Sequence, residues 1–299
     1  MYDIQKKVII GTWPMSGDLG SISIKIISRI IDKCIEFGFT EFDTAPNYGN
    51  GFCESLLGNM LKDKAITINT KFGNSAHEGK DFSIVGLRRS VEHSLSRLGV
   101  DSINVLFLHN PRDEIKDYDS TIDLLENLRN EGKINHTGIS LARNQEYGNI
   151  LGYFDVIQDD YNLLYQGSIS VKDQYKDLIF HARSPLATGI LSGRLTLATV
   201  FDSDDYRANW LKGQRLKSIL NRVKMLDELS NIPLHSLARR FILFNSLIDK
   251  VILGVKNPQH VDDIYNDLKD GPLESNIIQK INSLYLDDFG LINEKELSF

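Results

Sequence analysis

The sequence has few of the features that mark secreted, metal-binding or membrane proteins. Its 299 residues include 2 cysteines, Cys34 and Cys53, both in segments with a helical pattern and without metal-ligand spacing. No apolar run approaches the roughly 18 residues of a membrane-spanning helix, and the N-terminal segment has no apolar region of the signal-peptide type. We therefore expect free thiols in a reducing compartment, no bound metal and a cytoplasmic location.

A basic surface is also lacking. The formal net charge is −6, and no cluster of lysine and arginine exceeds a few residues. This balance argues against nucleic acid or an anionic membrane as a partner, although a local phosphate site remains compatible with it. We expect a small-molecule partner, and the sequence does not indicate whether the chain is a monomer or a homo-oligomer.

The glycine-rich fingerprints of common nucleotide-binding folds are absent as well. The segment GNGFCE carries Glu54 where a dinucleotide-binding G-x-G-x-x-G motif needs its third glycine. The segment GNSAHEGKD has one residue too many between its glycines for a P-loop, and Asp81 replaces the Ser or Thr of that motif. Neither fold is therefore indicated.

What the sequence does contain is an alternation of short β-branched runs with longer segments of helical period. Such repeated βα units predict a parallel sheet, and eight of them in about 300 residues favour a closed barrel over an open sheet. No linker rich in Pro, Gly or Ser interrupts them, so we expect an α/β fold, one (β/α)8 barrel domain over residues 1–299. The predicted strands are Val8–Gly11, Glu41–Asp43, Ala65–Lys71, Ile103–His109, His136–Ser140, Asp155–Gln158, Leu178–Arg183 and Val251–Gly254.

Helices are expected between these strands. One helical face carries Ile26, Ile27, Ile30, Ile31, Cys34 and Ile35, and Gly38 follows as a stop signal. The stretch Leu191–Leu229 is long for one crossover and predicts a loop over the barrel mouth with an extra helix. The residues after Leu273 predict an appended helix and tail. The other predicted helices are Cys53–Lys62, Ile84–Leu98, Thr121–Asn130, Gln145–Leu151 and Val171–Asp177.

Three successive predicted strands end in residues with useful chemistry. Asp43 ends the second strand, Lys71 the third and His109 the fourth, while Tyr48 follows the second. In (β/α)8 enzymes the active site lies at these C-terminal strand ends. Each residue alone has an ordinary structural explanation, such as a capped turn or a solvated charge. Their joint occurrence at neighbouring strand ends predicts a catalytic site.

The four side chains together suit proton transfer to a forming alkoxide. A phenol with a pKa of about 10 is a poor acid at neutral pH, and a nearby ammonium such as Lys71 lowers that pKa. Asp43 can hold Lys71 in place, and His109 can orient a substrate oxygen. The set therefore predicts reversible reduction of a carbonyl group.

The segment DTAPNYGNGFCESLLG resembles the signature of the aldo-keto reductases, which combines D-T-A, Y-G, E and L-G. Further resemblances follow in the family's order over nearly the whole chain. They are IGTWPM, NTKFG, LGVDSINVLFLHNP, LRNEGKINHTGIS, IQDDYNLL, ARSPLATGILSGRL, FDSDDYRANW and VILGVKNPQHVDDI.

This resemblance implies an NAD(P)H-dependent carbonyl reductase of the (β/α)8 type that uses no metal. It implies a catalytic tetrad of Asp43, Tyr48, Lys71 and His109, and it spreads the cofactor contacts around the barrel mouth. The cofactor-binding positions that it implies are Gly11, Thr12, Trp13, Asp43, Ser140, Gln158, Arg183, Leu191, Gly193, Arg194, Lys256, Asn257 and His260.

Three departures from the family pattern involve four positions. Leu141 stands where many members have Asn, and Arg183 replaces an aromatic residue that stacks on the nicotinamide. A planar guanidinium can lie on the ring in its place. His260 and Ile264 replace polar residues that bind the adenosine end. Because Lys256 and Asn257 remain as 2′-phosphate partners, we expect NADP(H), with NAD(H) as the alternative.

The substrate is less well indicated. The loops expected around the pocket carry His77, Asn110, Arg112 and Trp210, a polar set that hints at a sugar, a sugar derivative or a small hydroxyaldehyde. Solvated loop residues explain the same set equally well. Two other functions stay open: a cofactor-sensing regulatory subunit without turnover, and a lyase or aldolase that uses Lys71 as a Schiff base.

Overall fold

Eight parallel strands close into a barrel in the computed structural model, which describes residues 2–62, 64–75, 79–112, 115, 117–143 and 145–291. Each strand pairs with its neighbours in chain order, and β1 pairs with both β2 and β8, so that no edge is left open. The predicted (β/α)8 barrel is confirmed. The strands are β1 (Val8–Gly11), β2 (Glu41–Asp43), β3 (Thr67–Phe72), β4 (Ile103–His109), β5 (Ile134–Ser140), β6 (Val156–Asp160), β7 (Ile179–Arg183) and β8 (Lys250–Gly254).

The side-chain period of two in the strands decides what points into the barrel. In β4, Val105, Phe107 and His109 share the inward face, and Val105 and Phe107 pack with Val156 in a small cluster of their own. Gly138 makes room for this cluster, since a Cβ atom there would lie 2.4 Å from Cδ1 of Phe107. The inward face therefore starts as a packed apolar layer and ends, one step further, in the polar side chain of His109.

Nine helices longer than five residues surround the barrel in the described part of the chain. Their starts follow ordinary capping rules: Ser23 and Ser83 accept hydrogen bonds from backbone N–H groups of the first turns of the helices that follow them. The helices are α1 (Ile24–Glu36), α2 (Phe52–Met60), α3 (Ile84–Leu98), α4 (Tyr118–Asn130), α5 (Ile169–Gln174), α6 (Gly213–Asp227), α7 (Leu234–Leu243), α8 (Pro258–Asp270) and α9 (Ser275–Leu286).

The predicted elements need several corrections. The third strand covers Thr67–Phe72 rather than Ala65–Lys71, so Lys71 is its penultimate residue. The predicted helix Gln145–Leu151 is a 3-10 segment, Gly148–Tyr153. Helices α7 and α8 were not predicted, although each has a buried apolar face at helical spacing. The strands Val8–Gly11, Glu41–Asp43 and Ile103–His109 and the helix Ile84–Leu98 have their predicted bounds, and the other boundaries shift by one to three residues.

The long segment after β7 lies over the barrel mouth, as expected. It contains two 3-10 segments, Ala187–Ser192 and Tyr206–Asn209, and then α6. The appended helix after Leu273 is α9. No helix within the described ranges is long and apolar enough to cross a membrane.

Both cysteines are buried and free, Cys34 in α1 and Cys53 in α2. Burial raises the pKa of each thiol to about 12. Since the thiolate is the reactive form, neither residue is suited to nucleophilic chemistry.

Candidate active site

A buried ion pair forms the base of the site at the C-terminal strand ends. Lys71 Nζ donates to Asp43 Oδ1 over 2.6 Å and to the carbonyl of Thr44 over 2.8 Å. The other carboxylate oxygen of Asp43 accepts a hydrogen bond of 2.9 Å from Gln158 Nε2. The hydroxyl of Thr12 donates to the Asp43 carbonyl over 3.1 Å. Four strands therefore fix the position of this pair.

The phenol and the imidazole lie against the pair. Lys71 Nζ is 5.1 Å from the centre of the Tyr48 ring. The His109 ring stands edge-on to Tyr48 with 6.1 Å between centroids. The structure thus brings together the four residues that the sequence singled out as catalytic.

Burial and charge act in opposite directions on these groups. Burial raises the pKa of Tyr48, and the positive charge of Lys71 opposes this only in part. Lys71 therefore acts in the expected direction, but burial has the larger effect. Burial alone would lower the pKa of Lys71, yet Asp43 and the Tyr48 hydroxyl raise it above its usual value. Lys71 is consequently held as an ammonium ion.

His109 is a neutral imidazole in this setting. Burial lowers its pKa well below the usual value, and the positive charges of Lys71 and Arg183 lower it further. Its Nδ1 atom is buried and has no hydrogen-bond partner within the described structure. A neutral ring can donate one N–H bond to a substrate oxygen, so His109 can orient that oxygen without protonating it.

A cavity of about 420 Å³ opens beside Tyr48 and extends to the start of α8. Nine of the predicted site residues line it, at both of its ends. These are Gly11, Trp13, Asp43, Tyr48, Gln158, Arg183, Arg194, Lys256 and His260. The predicted residues that do not line it are Thr12, Lys71, His109, Ser140, Leu191, Gly193 and Asn257.

Several of these remaining residues hold the cavity wall in place. Ser140 Oγ donates to Gln158 Oε1 over 3.1 Å. Asn257 caps α8, where its Oδ1 accepts from the backbone N–H of His260 over 3.1 Å, and its Nδ2 lies 2.9 Å from His260 Nε2. The N–H of Leu191, one of the implied cofactor-binding positions, donates to the Leu186 carbonyl over 3.1 Å. Asn257 and Leu191 therefore use their polar groups within the protein.

The cavity carries an excess of positive charge although the chain as a whole is acidic. Its lining includes five cationic side chains and two carboxylates. The cations are Arg183, Arg194, Arg207, Arg239 and Lys256, and the carboxylates are Asp43 and Asp263. Such a surface suits an anionic ligand.

Several members of this lining were not predicted from the sequence, among them His235 and Arg239 on α7. The two residues are four apart and so lie on one helical face, a signal that was available once α7 had been recognised. Arg239 Nε is bonded to Asp267, and its Nη2 atom is buried without a hydrogen-bond partner in the described part of the chain.

The residues proposed for the substrate loops do not line this cavity. Asn110 lies 3.2 Å from Ser140 Oγ through its side-chain amide. The Trp210 ring lies 6.0 Å from the Arg215 guanidinium, and Arg112 is exposed. His77 lies outside the described residues. The predicted polarity of the substrate pocket therefore stays a prediction.

Comparison with known proteins agrees with the fold. A sequence model described as the aldo/keto reductase family matches residues 7–286. The curated protein Aldo-keto reductase YhdN of Bacillus subtilis (strain 168) is 28% identical over 275 residues, which cover 86% of this chain and 83% of that protein.

Two solved structures are similar along the chain. An aldo-keto reductase from Bacillus halodurans in its holo form has a TM-score of 0.75 and 26% identity, with 93% of this chain and 91% of the other covered. A glycerol dehydrogenase from Gluconobacter oxydans has a TM-score of 0.78 and 22% identity, with 93% and 90% covered. At 22% identity the second likeness concerns the fold alone.

The match over residues 7–286 spans nearly the whole chain and includes all four residues around the Asp43–Lys71 ion pair. The chain therefore belongs to the aldo/keto reductase family, whose members are oxidoreductases acting on carbonyl compounds and generally use NAD(P)H.

Proposed function

We propose that this protein reduces an aldehyde or ketone to an alcohol with NADPH, and that Tyr48 is the proton donor. The observation that carries the proposal is the position of Tyr48. Its ring lies 5.1 Å from the buried ammonium ion of Lys71, and it lines a cavity with an excess of cationic side chains. A proton donor and a site for an anionic ligand therefore share one wall.

Each of the four residues has its own role in the proposed reaction. The neutral His109 ring donates a hydrogen bond to the substrate carbonyl and turns its oxygen towards Tyr48. As negative charge develops on that oxygen, the Tyr48 hydroxyl gives up its proton, and the Lys71 ammonium stabilises the phenolate that remains. Asp43 keeps Lys71 charged and in place over 2.6 Å. A bound nicotinamide would supply the hydride to the carbonyl carbon.

The residues present fit a dinucleotide phosphate. Arg194 is exposed on the cavity wall and makes no ion pair or side-chain hydrogen bond within the described residues. Lys256 lines the same end, where its Nζ also contacts the carbonyl of Leu19. Two cations at the end of the cavity remote from Tyr48 favour a 2′-phosphate, which supports NADPH over NADH.

Burial lowers the pKa of His260, so this ring is held neutral and adds no charge to the adenosine end. The preference for the 2′-phosphate then depends on Lys256 and Arg194. We expect that removing either charge, in Lys256→Gln or Arg194→Gln, weakens NADPH binding about tenfold and leaves NADH binding nearly unchanged.

The substrate that we propose is a small polar carbonyl compound such as a sugar, a sugar derivative or a hydroxyaldehyde. Trp13, on the wall beside Tyr48, donates from Nε1 to Asp18 Oδ2 over 2.8 Å, and its ring meets Tyr206 edge-on at 6.0 Å. Carboxylate, indole and phenol groups near the mouth suit hydroxyl-bearing substrates better than large apolar ketones.

The decisive experiment removes one hydroxyl group. Tyr48→Phe should lower kcat about a thousandfold, because general acid catalysis contributes about 10²–10⁴, and should leave the Kd for NADPH nearly unchanged. Tyr153→Phe is the matched control, since Tyr153 is 61% exposed and away from the cavity. Steady-state turnover with a panel of aldehydes and ketones, combined with calorimetric titration of NADPH, measures both quantities.

Equal turnover in the Tyr48→Phe variant would refute the role of Tyr48. Tight NADPH binding by the wild type with no turnover on any carbonyl would instead favour the regulatory subunit. The Schiff-base alternative predicts that borohydride traps substrate on Lys71. We expect no trapping, since Asp43 holds that side chain as an ammonium ion.

A further inference from the structure

Arg183 places a cation on the cavity wall next to the reacting groups. It ends β7 and lines the cavity together with Tyr48 and Gln158, with a side chain that is 22% exposed. The two neighbouring carboxylates, Asp159 and Asp160, end β6 and do not line the cavity. The positive end of this charged cluster therefore faces the ligand space, and its negative end lies behind the wall.

The guanidinium group is held firmly from behind. Arg183 Nη2 donates to the carbonyl of Leu141 over 2.7 Å, and Nε lies 3.5 Å from Asp160 Oδ1. The other oxygen of Asp160 accepts from Arg143 Nε over 2.7 Å. Asp160 therefore positions Arg183 from outside the cavity lining, where Asp159 and Arg143 complete the charged cluster.

The charge of Arg183 reaches the catalytic groups. It lowers the pKa of the buried His109 ring, and it opposes the rise that burial causes in the pKa of Tyr48. By contrast, the nearest other buried cation, Lys71, is neutralised at 2.6 Å by Asp43. Arg183 thus lines the ligand space next to Tyr48, while its counter-ion Asp160 lies outside the cavity lining.

The proposed reaction places the nicotinamide in this field. Hydride transfer needs the ring carbon within van der Waals reach of the carbonyl carbon, whose oxygen faces the Tyr48 hydroxyl. The ring must therefore lie close to Tyr48 and so close to Arg183. The oxidised ring carries a positive charge and the reduced ring is neutral, whereas the rest of the dinucleotide is the same in both forms.

We propose that Arg183, positioned by Asp160, makes the site discriminate between the two redox forms of the dinucleotide, binding the reduced form more tightly and so biasing the protein towards carbonyl reduction. The proposal rests on the function proposed above. An aromatic side chain at this position would stack on the ring in either redox state, and its negative π face would favour the charged oxidised ring instead. The substitution of Arg for an aromatic residue then has a chemical consequence that packing alone does not predict.

Calorimetric titration with NADPH and with NADP⁺ tests this directly. The measured quantity is the ratio of Kd for NADP⁺ to Kd for NADPH, which reports the field at the ring because the other charges cancel. We expect the wild-type ratio to exceed one and to fall about tenfold in Arg183→Gln, which keeps hydrogen-bonding capacity and loses the charge. Arg183→Lys keeps the charge and should keep most of the ratio.

A matched control lies at the other end of β6, the strand that Asp160 ends. Arg129 pairs with Asp155 just before β6, at the bottom of the barrel, as Arg183 pairs with Asp160 at its top. Arg129→Gln should therefore leave the ratio of the two Kd values unchanged. If Arg129→Gln lowers the ratio as much as Arg183→Gln does, the effect is a general loss of fold and the proposal is wrong.

The outcomes separate this inference from the proposed function. Equal weakening of both redox forms in Arg183→Gln would overturn the charge role and leave only packing. If Arg183→Gln does not fold, the wild type alone still tests the proposal, because a wild-type ratio of one or less would overturn the charge role. If the wild type binds neither form, the proposed function itself fails, and this inference fails with it.

Discussion

At the scale of single residues, Lys71 and Asp43 show how a buried charge is kept in place. Lys71 is 1% exposed and Asp43 3%. An isolated ammonium ion at such depth would lose its proton, and an isolated carboxylate would gain one. Their contact at 2.6 Å, with further hydrogen bonds from Lys71 to the Thr44 carbonyl and from Gln158 to Asp43, holds Lys71 as an ammonium ion. Burying this pair beside Tyr48 costs desolvation free energy, which only good geometry offsets.

This pair supports a prediction that separates stability from catalysis. Lys71→Met should destabilise the fold by about 3–5 kcal/mol, since it leaves the Asp43 carboxylate buried and unpaired. The double variant Lys71→Met with Asp43→Asn should recover most of this loss in urea denaturation and still fail to turn over substrate. A double variant with near-normal kcat would show that the ammonium ion has no catalytic role.

Asp159 gives a prediction with a defined pH window. Burial raises its pKa to about 6, with Arg183 partly opposing this. The folded state therefore binds the Asp159 proton more tightly than the unfolded state does, where the pKa is about 3.9. The resulting stability is present below pH ~4 and is lost as the pH rises through 6, by about 3 kcal/mol at most.

Asp159→Asn should remove this dependence. The variant keeps an oxygen that can accept the hydrogen bond of 2.7 Å from the Asp160 N–H. We expect it to be more stable than the wild type at pH 8 and equal to it near pH 4, as measured by thermal unfolding across that range. An equal gain at both pH values would show that ionisation of Asp159 is not the cause.

At the scale of elements, the contact between α2 and α3 fixes the helix that follows the Tyr48 loop. Glu54 of α2 is fully buried and accepts from Thr70 Oγ1 over 2.6 Å and from Arg97 Nε over 2.7 Å. Gly58, one turn further on, lets the two helices touch. A Cβ atom there would lie 2.5 Å from the Arg97 carbonyl oxygen.

Gly58→Ala should therefore destabilise the protein by about 1–3 kcal/mol, because backbone atoms of α3 would have to move. Gly152→Ala is the control, since a Cβ atom at Gly152 meets nothing within 4 Å. Its effect should stay within about 0.5 kcal/mol. Chemical denaturation of the two variants side by side measures the difference. Equal stabilities would show that the helices adjust without cost.

At the scale of the whole molecule, the sign of the charge in the cavity is opposite to that of the protein. The net charge is −6, but cationic side chains outnumber carboxylates in the cavity lining. The distant negative charges are screened beyond a Debye length of about 10 Å at 0.1 M salt, whereas the cavity cations lie next to the ligand. Local charge should therefore govern the binding of an anionic cofactor.

The corresponding prediction concerns ionic strength. The Kd for NADPH should rise about tenfold between 0.05 and 0.5 M KCl, because salt screens the attraction between the phosphates and residues such as Arg194. Arg194→Gln should flatten this dependence. Fluorescence titration at several salt concentrations is sufficient. Tighter binding at high salt would mean that repulsion by the net charge outweighs the local cations.

The sequence alone determined which strands form the barrel and where six of the eight end, the exceptions being the third and sixth strands. Apolar runs such as Ile103–His109 fix their own secondary structure, and the side-chain period of two carries Asp43 and His109 to the barrel mouth. Parallel strands in a barrel end on one side, so it was predictable that one site would hold Asp43, Tyr48, Lys71 and His109.

Only the tertiary structure decided the burial, the charged neighbours and the pKa of each side chain. The sharing of Asp160 between Arg143 and Arg183, and the approach of Arg239 on α7 to the cavity, join segments far apart in the chain. Burial likewise outweighs Lys71 in setting the pKa of Tyr48. These properties depend on distance and desolvation, which follow from packing between distant segments and leave no local pattern in the sequence.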